Sequence, residues 1–182
     1  MKSFLIGLLF CVIAFTAPAH AQNLGGPFTL TAHNGKQVTD KDFRGKYMLV
    51  YFGFATCPDV CPLAVKKIDD VLTQLGTKSA QIVPVFITID PERDTPEKMR
   101  QFITPISSRV IGLTGTRAQI DDVIGKYKVM AQKVPDLNHP DGYSFLHAEF
   151  IFVMSPQGTF YSLLQGGQSV EYLANSLYAI IK

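Results

Sequence analysis

Two patterns of apolar residues alternate along the chain, one typical of buried strands and one of amphipathic helices. Residues 47–54 are continuously apolar, aromatic or β-branched, and residues 81–89 repeat that pattern. Continuous runs of this length suit strands that are buried on both faces of a sheet. Residues 150–154 and 160–164 flank the turn sequence 155–158 and predict an antiparallel hairpin.

Apolar residues at helical spacing predict four helices. The first follows Pro62, keeps one apolar face and ends at Gly76. The second begins at residues 94–97, where a capping residue, a proline and an acid occur in helix-start order. The apolar faces of the other two are formed by Ile120, Val123, Ile124 and Tyr127, and by Val170, Leu173, Ala174, Leu177 and Ile181.

A small hairpin precedes these elements. Residues 28–30 and 37–39 flank Asn34 and Gly35, a dipeptide that favours a tight turn between extended segments. The order strand, helix, strand, helix, followed by a hairpin and a helix, is that of the thioredoxin-like α/β sandwich. We therefore predict a central mixed sheet flanked by helices, with a small N-terminal β-hairpin.

Length and charge narrow the function classes. With 182 residues, 47% of them hydrophobic, the chain can bury one substantial core, so we predict a single folded domain over residues 22–182. The 17 basic and 15 acidic residues give a net charge of +2 and are scattered along the chain. A nucleic-acid partner is therefore not expected.

Residues 1–21 have the composition of a secretory signal. Lys2 precedes a short apolar run, and Ala19 and Ala21 supply the small residues that a signal peptidase requires. The alternative is an uncleaved membrane anchor, but the run is shorter than the roughly 20 residues of a spanning helix. We expect an exported, periplasmic protein, associated with the inner membrane if the segment stays uncleaved. Cys11 lies inside this segment.

Cys57 and Cys61 are the cysteines that remain after removal of the signal. They follow the first long strand, near the start of a helix, where thiol pKa values are lowered. Four-residue spacing on a helical turn brings two side chains onto one face, so both a metal pair and a redox pair are feasible. A purely structural disulfide is a weak alternative because so short a loop restricts the unfolded chain little.

The histidines differ in their sequence context. His33 and His139 occur in turn and loop sequences, where solvated side chains are expected. His147 precedes the predicted strand 150–154, at a position that the fold would bring near the end of the first long strand. A metal ligand and a hydrogen-bonded histidine at a strand start are both consistent with that position.

Three motifs together resemble the Sco (SenC) family of cytochrome c oxidase assembly proteins. They are Cys-Pro-Asp-Val-Cys-Pro at 57–62, Thr-Ile-Asp-Pro-Glu-Arg-Asp-Thr-Pro at 88–96, and His147 before a strand. The resemblance implies that Cys57, Cys61 and His147 bind copper. Thiolates select Cu(I), and two cysteines with one histidine can also hold Cu(II). Zinc is the competing ion, although its structural sites usually have four protein ligands.

The resemblance implies a metallochaperone, not an enzyme, that delivers copper to the dinuclear centre of cytochrome c oxidase subunit II. It also implies an upstream copper donor protein. The alternative is a thiol-disulfide reductase that uses Cys57 and Cys61 as a redox pair on the cysteines of that same centre. A third interpretation, prompted by residues 52–58, is a peroxiredoxin-like peroxidase, which needs a cation close to its cysteine.

Acidic residues follow the second long strand. Asp90, Glu92 and Asp94 would suit a hard cation better than copper. We expect Asp94 or Thr95 to cap the next helix and Asp90 to end the strand near the site. A role of Asp90 in supporting the copper ligands from behind is the alternative. The chain departs from many family members in its short N-terminal segment and in Ser155, where an acidic residue is common.

Overall fold

The computed structural model describes residues 24–139 and 141–181. The predicted signal segment, residues 1–21, lies outside the described residues. Within the described ranges, none of the helices combines the length and apolar character needed to cross a membrane.

Nine strands lie in the described part of the chain: β1 (Thr29–Ala32), β2 (Gln37–Thr39), β3 (Tyr47–Gly53), β4 (Ile82–Thr88), β5 (Ile111–Thr114), β6 (Ala131–Pro135), β7 (Tyr143–His147), β8 (Phe150–Met154) and β9 (Phe160–Gln165). Seven of them form a mixed sheet in the order β2-β1-β5-β4-β3-β8-β9. The two longest runs of the sequence become β3 and β4, a parallel pair at its centre. Their side chains are almost entirely buried, as continuous apolar runs predict.

Helices cover both faces of this sheet: α1 (Val60–Gln74), α2 (Pro96–Ile103), α3 (Arg117–Tyr127) and α4 (Val170–Ile180). On one face, Tyr127 of α3 packs against Phe52 and Phe152, with both ring centroids 5.3 Å away. On the other face, Phe86 packs against Phe102 of α2, and α1 packs against α4. The predicted thioredoxin-like sandwich is confirmed.

The ends of the helices follow the predicted signals. Thr95 is the N-cap of α2, and its hydroxyl accepts a hydrogen bond from the Lys98 N–H at 3.3 Å. Gly76 takes a positive φ of +56° directly after the C-cap residue of α1. The first helix begins earlier than expected, because α1 already includes Val60 and Cys61.

Three strands, β5, β6 and β7, are absent from the sequence-based prediction. The first has only four residues, and β6 and β7 carry exposed or half-buried side chains without a continuous apolar run. The last two pair antiparallel, Ala131 opposite His147 and Pro135 opposite Tyr143, as a separate two-stranded sheet. His147 is thus the last residue of a hairpin that lies beside the main sheet and shares no backbone ladder with it.

Candidate metal centre

The two cysteines lie where β3 passes into α1. Cys57 is half-buried in the connecting loop, and Cys61 is fully buried in the first turn of the helix. Both thiols are free. The Cys57 N–H donates a hydrogen bond to the Phe54 carbonyl at 3.2 Å, which holds the loop against the end of the strand. The cysteines are therefore positioned by the junction of a central strand with a helix, as the sequence predicted.

A glycine lets Cys61 approach the sheet. A Cβ atom added at Gly53 would lie 2.8 Å from the Cys61 Sγ and 2.8 Å from the Phe86 ring. Glycine inside a strand often marks such a close approach. The sequence analysis missed this signal because Gly53 lies within the apolar run 47–54. Gly53 thus creates the space that the buried sulfur occupies.

The His147 ring lies next to Cys61. Its Nε2 lies 3.8 Å from the Cys61 Sγ, while its Nδ1 lies 3.4 Å from the Ala148 carbonyl. A proton on Nδ1 leaves Nε2 free to bind a metal, which is the usual arrangement of a histidine ligand. Thiolate and imidazole bonds of about 2.3 and 2.0 Å, as found for zinc, place two ligands of one ion about 3.5 Å apart at a tetrahedral angle and about 3.7 Å apart at a trigonal angle. The observed separation lies close to the trigonal value.

Aromatic rings surround the histidine. Tyr51 and Phe54 both meet the imidazole edge to face, at centroid distances of 6.2 and 6.0 Å. The Tyr51 hydroxyl is buried and has no hydrogen-bond partner. Burial, followed by the charge of Cys61, raises the pKa of Tyr51, so this hydroxyl stays protonated beside the thiols.

The pKa values of the two thiols are shifted in opposite directions. Interaction with the neighbouring Cys61 thiol is the largest cause that lowers the pKa of Cys57, to about 5, and N–H groups of the helix start lower it further against the effect of burial. Interaction with Cys57, followed by burial, raises the pKa of Cys61. The half-buried Cys57 thus favours the thiolate at neutral pH, and the buried Cys61 favours the protonated thiol.

Two of the three candidate ligands line one cleft. Cys57, His147 and Glu149 line a cavity of about 240 Å³, and Cys61 lies buried beneath it. Across residues 24–139 and 141–181, no three histidine, cysteine or acidic side chains are grouped so that they could hold a metal ion in this arrangement. Two sulfurs and one imidazole are nevertheless a soft donor set of the kind that suits copper.

Asp94 is not the cap of α2 but a buried brace of the cysteine loop. Its Oδ2 accepts hydrogen bonds from the Ala55 N–H at 2.8 Å and from the Thr88 hydroxyl at 2.6 Å. Its Oδ1 is buried without a partner. Burial is the main cause that raises the pKa of Asp94 to about 6. Asp90, also fully buried, pairs with Arg93 and so faces the β6–β7 hairpin.

The expectation that His33 and His139 are solvated is wrong. The His33 Nδ1 accepts a hydrogen bond from the Gly112 N–H at 2.9 Å, in a half-buried position far along the sheet. The His139 side chain is only 10% exposed, and its ring contacts Arg93 and the Thr56 carbonyl. The local sequence around each histidine is typical of an exposed turn or loop. The contacts that cover the rings come from residues distant in sequence, so the sequence alone did not show them.

The SCO1/SenC family profile matches residues 16–182. The human mitochondrial SCO1 homologue is 40% identical over 139 residues, which cover 75% of this chain and 46% of the human protein. A SCO2-like protein of Rickettsia prowazekii is 39% identical, with 75% of this chain and 67% of that protein covered. The chain spans about half the length of several curated relatives that it matches.

Solved structures give the same result. Bradyrhizobium japonicum ScoI, determined with copper bound, is 39% identical with a TM-score of 0.77, covering 86% of this chain and 98% of that one. Arabidopsis thaliana ScoI, also with copper bound, is 33% identical with a TM-score of 0.80, covering 86% of this chain and 96% of that one.

Proposed function

Since the chain belongs to the SCO1/SenC family, we propose that it is a copper metallochaperone for the assembly of cytochrome c oxidase. It binds one copper ion through Cys57, Cys61 and His147. The observation that carries this proposal is the 3.8 Å approach of the His147 Nε2 to the free thiol of Cys61, beneath a cleft that Cys57 lines. The copper-bound ScoI structures support it.

The three donors differ in ways that suit a cargo ion. The Cys57 thiolate is half-buried and already deprotonated, so it can bind copper first. Cys61 would lose its proton to solvent on binding the ion, and the Nε2 of His147 would complete the set. Soft sulfur ligands favour Cu(I), and the imidazole makes Cu(II) acceptable as well. A three-coordinate site with an open side leaves room for a ligand from the recipient protein.

The cellular role follows from the same proposal. The recipient is the dinuclear copper centre of oxidase subunit II, and an upstream protein supplies the copper. Residues 1–21 direct export, and the mature protein acts in the periplasm from about Gln22. N-terminal sequencing of the exported protein tests this, because an intact Met1 in the membrane fraction would show an anchor instead.

Thiol-disulfide reduction is the second candidate function. The lowered pKa of Cys57 favours it, because the thiolate attacks a disulfide while Cys61 is available to resolve the mixed disulfide. His147 distinguishes the two functions, since a reductase needs no third soft ligand. The copper-bound relatives support copper binding, and we therefore place copper delivery before reduction.

A competition titration with a Cu(I) chelator tests the copper site. Reduced protein should bind one copper, and protein with a Cys57–Cys61 disulfide essentially none, because the thiolate is the ligand. Cys57→Ser and Cys61→Ser should each abolish tight binding, since a hydroxyl is a poor ligand for a soft ion. His147→Ala should bind more weakly and change the Cu(II) spectrum.

His33→Ala is the matched control, because His33 is also half-buried but lies outside the site. It should keep the parent's affinity and spectrum. If His147→Ala also matches the parent for both copper states, the three-ligand site is refuted. Circular dichroism of each variant checks that the fold is intact.

A deletion strain separates delivery from reduction. Oxidase activity should be partly restored by added copper and not by added reductant. Rescue by reductant alone would reverse the ranking of the two functions.

A further inference from the structure

His147 lies between two anchors. It ends the β6–β7 hairpin, which has no backbone ladder with the seven-stranded sheet that carries the cysteines. On its other side β8 begins at Phe150 and pairs with β3 in that sheet. The imidazole, 3.8 Å from the Cys61 Sγ, is therefore held both by the start of β8 and by whatever fastens the hairpin to the body of the domain.

Arg93 lies at the centre of this fastening. Its side chain is only 11% exposed, and its Nε pairs with the fully buried Asp90 behind β4. From the same guanidinium, NH1 donates to the Tyr143 carbonyl at 3.2 Å and approaches the Asp141 carboxylate at 3.2 Å. One arginine thus joins the body of the domain to the start of β7.

Tyr143 adds a second connection. The guanidinium carbon lies 3.9 Å from the centroid of the Tyr143 ring, within the range of a cation–π contact. The Tyr143 hydroxyl lies 3.3 Å from each carboxylate oxygen of Asp90. The hairpin is therefore held by stacking and by hydrogen bonding to the same buried ion pair.

His139 joins the loop of the hairpin to the loop of the cysteines. Its Nδ1 lies 3.1 Å from Arg93 NH1, and its Nε2 lies 3.2 Å from the carbonyl of Thr56, the residue before Cys57. The tautomer with the proton on Nε2 satisfies both contacts, because the arginine can only donate. The imidazole thus bridges Arg93 and the backbone beside Cys57.

Aromatic packing carries this constraint along β7 to the ligand. Tyr143 packs against Phe145 at 6.0 Å, and Phe145 packs against Phe54 at 5.5 Å. Phe54 in turn meets the His147 ring at 6.0 Å. The two ends of the five-residue strand are therefore joined through a continuous row of rings.

We propose that Arg93, with Asp90, His139 and Tyr143, forms a clamp that positions His147 over Cys61. The inference rests on the proposed copper site and assigns Arg93 a positioning role, since it touches none of the three donors. Loss of the clamp frees the imidazole, whereas the cysteine loop keeps its hydrogen bonds from the Cys57 N–H to the Phe54 carbonyl and from the Ala55 N–H to Asp94, so both sulfur ligands remain. Copper would then be held by two donors in place of three.

Copper titration of Arg93→Gln tests the clamp, with Arg109→Gln as the matched control. Arg109 also joins two elements, through Asp69 and Thr73, but lies away from the hairpin. Arg93→Gln should weaken copper binding about tenfold, the lower end for groups that orient metal ligands. It should also reduce the histidine-nitrogen coupling in the Cu(II) electron paramagnetic resonance spectrum, whereas Arg109→Gln should change neither.

A double-mutant cycle identifies the path of the effect. If Arg93 acts through His147, adding Arg93→Gln to His147→Ala should weaken copper binding no further. Independent losses that multiply would overturn the proposal. Parent-like affinity and nitrogen coupling in Arg93→Gln alone would overturn it as well.

Hydrogen exchange of the metal-free protein tests the clamp without copper. Amides of residues 131–147 should exchange faster in Arg93→Gln than in the parent or in Arg109→Gln, and unchanged exchange would refute the clamp. If the parent binds no copper, the proposed function is refuted, but hydrogen exchange still tests whether Arg93 fastens the hairpin. Should Arg93→Gln fail to fold, Arg93→Lys and His139→Gln test the same expectation, because each removes part of the contact set.

Discussion

At the end of β3, Gly53 lies so near Cys61 that a single methyl group would disturb the centre. In Gly53→Ala the new Cβ would lie 2.8 Å from the Cys61 Sγ and 2.8 Å from the Phe86 ring. Unstrained carbon contacts lie at about 3.5–4.0 Å, so the sulfur, the ring or the strand must move by roughly 0.7–1.2 Å. All of them are fully buried, which leaves little room for that movement.

Two consequences should be measurable. Overpacking of this kind costs about 1–3 kcal/mol, so the free energy of unfolding in urea should fall by that amount. A displaced Cys61 sulfur no longer holds its 3.8 Å separation from the His147 Nε2. We expect copper affinity to fall by at least about tenfold, the loss typical of groups that orient metal ligands.

Gly125→Ala is the matched control for this substitution. Gly125 lies in α3, and an added Cβ there meets no atom within 4 Å. Alanine should stabilise that helix by about 0.5–1 kcal/mol and leave copper binding unchanged. If Gly53→Ala keeps the parent's unfolding free energy and copper affinity, the close packing of Cys61 against β3 does not constrain the site.

Three further predictions concern titration and helix capping. Alkylation of Cys57 in reduced, metal-free protein should reach half its maximal rate near pH 5, and Cys61→Ala should move that midpoint upward because the interaction with the neighbouring thiol is lost. The folded-state pKa of Asp94, about 6, lies above its ordinary 3.8, so its contribution to stability is full below about pH 4 and is lost as pH rises through 6. Urea unfolding should show up to about 3 kcal/mol of this dependence in the metal-free parent and none of it in Asp94→Asn. Thr116→Ala, which removes the capping box of α3, should cost about 1 kcal/mol in the same assay without changing copper affinity.

Much of the main sheet could be predicted because its signals are local. Continuous apolar runs mark β3 and β4, and the Asn34-Gly35 dipeptide marks the turn between β1 and β2. Such patterns depend on residues close together in the chain, so no tertiary information is needed to interpret them. The β6–β7 hairpin has no comparable signal, since its exposed and half-buried residues form no apolar run.

Within the centre, the sequence by itself determined the chemistry of the donors. Two cysteines four residues apart at a strand-to-helix junction supply the thiols, and the family motifs added His147 to them. The helical spacing assumed for the pair does not apply, because α1 begins at Val60 and Cys57 lies in the loop before it. Cys61 and His147 are 86 positions apart in the sequence, so their separation of 3.8 Å is decided by the fold. The roles of Gly53, Arg93 and His139 likewise emerge only from tertiary packing. Each of these residues acts on a residue distant in sequence or on another element. Burial and contacts between elements leave no local pattern in a single sequence.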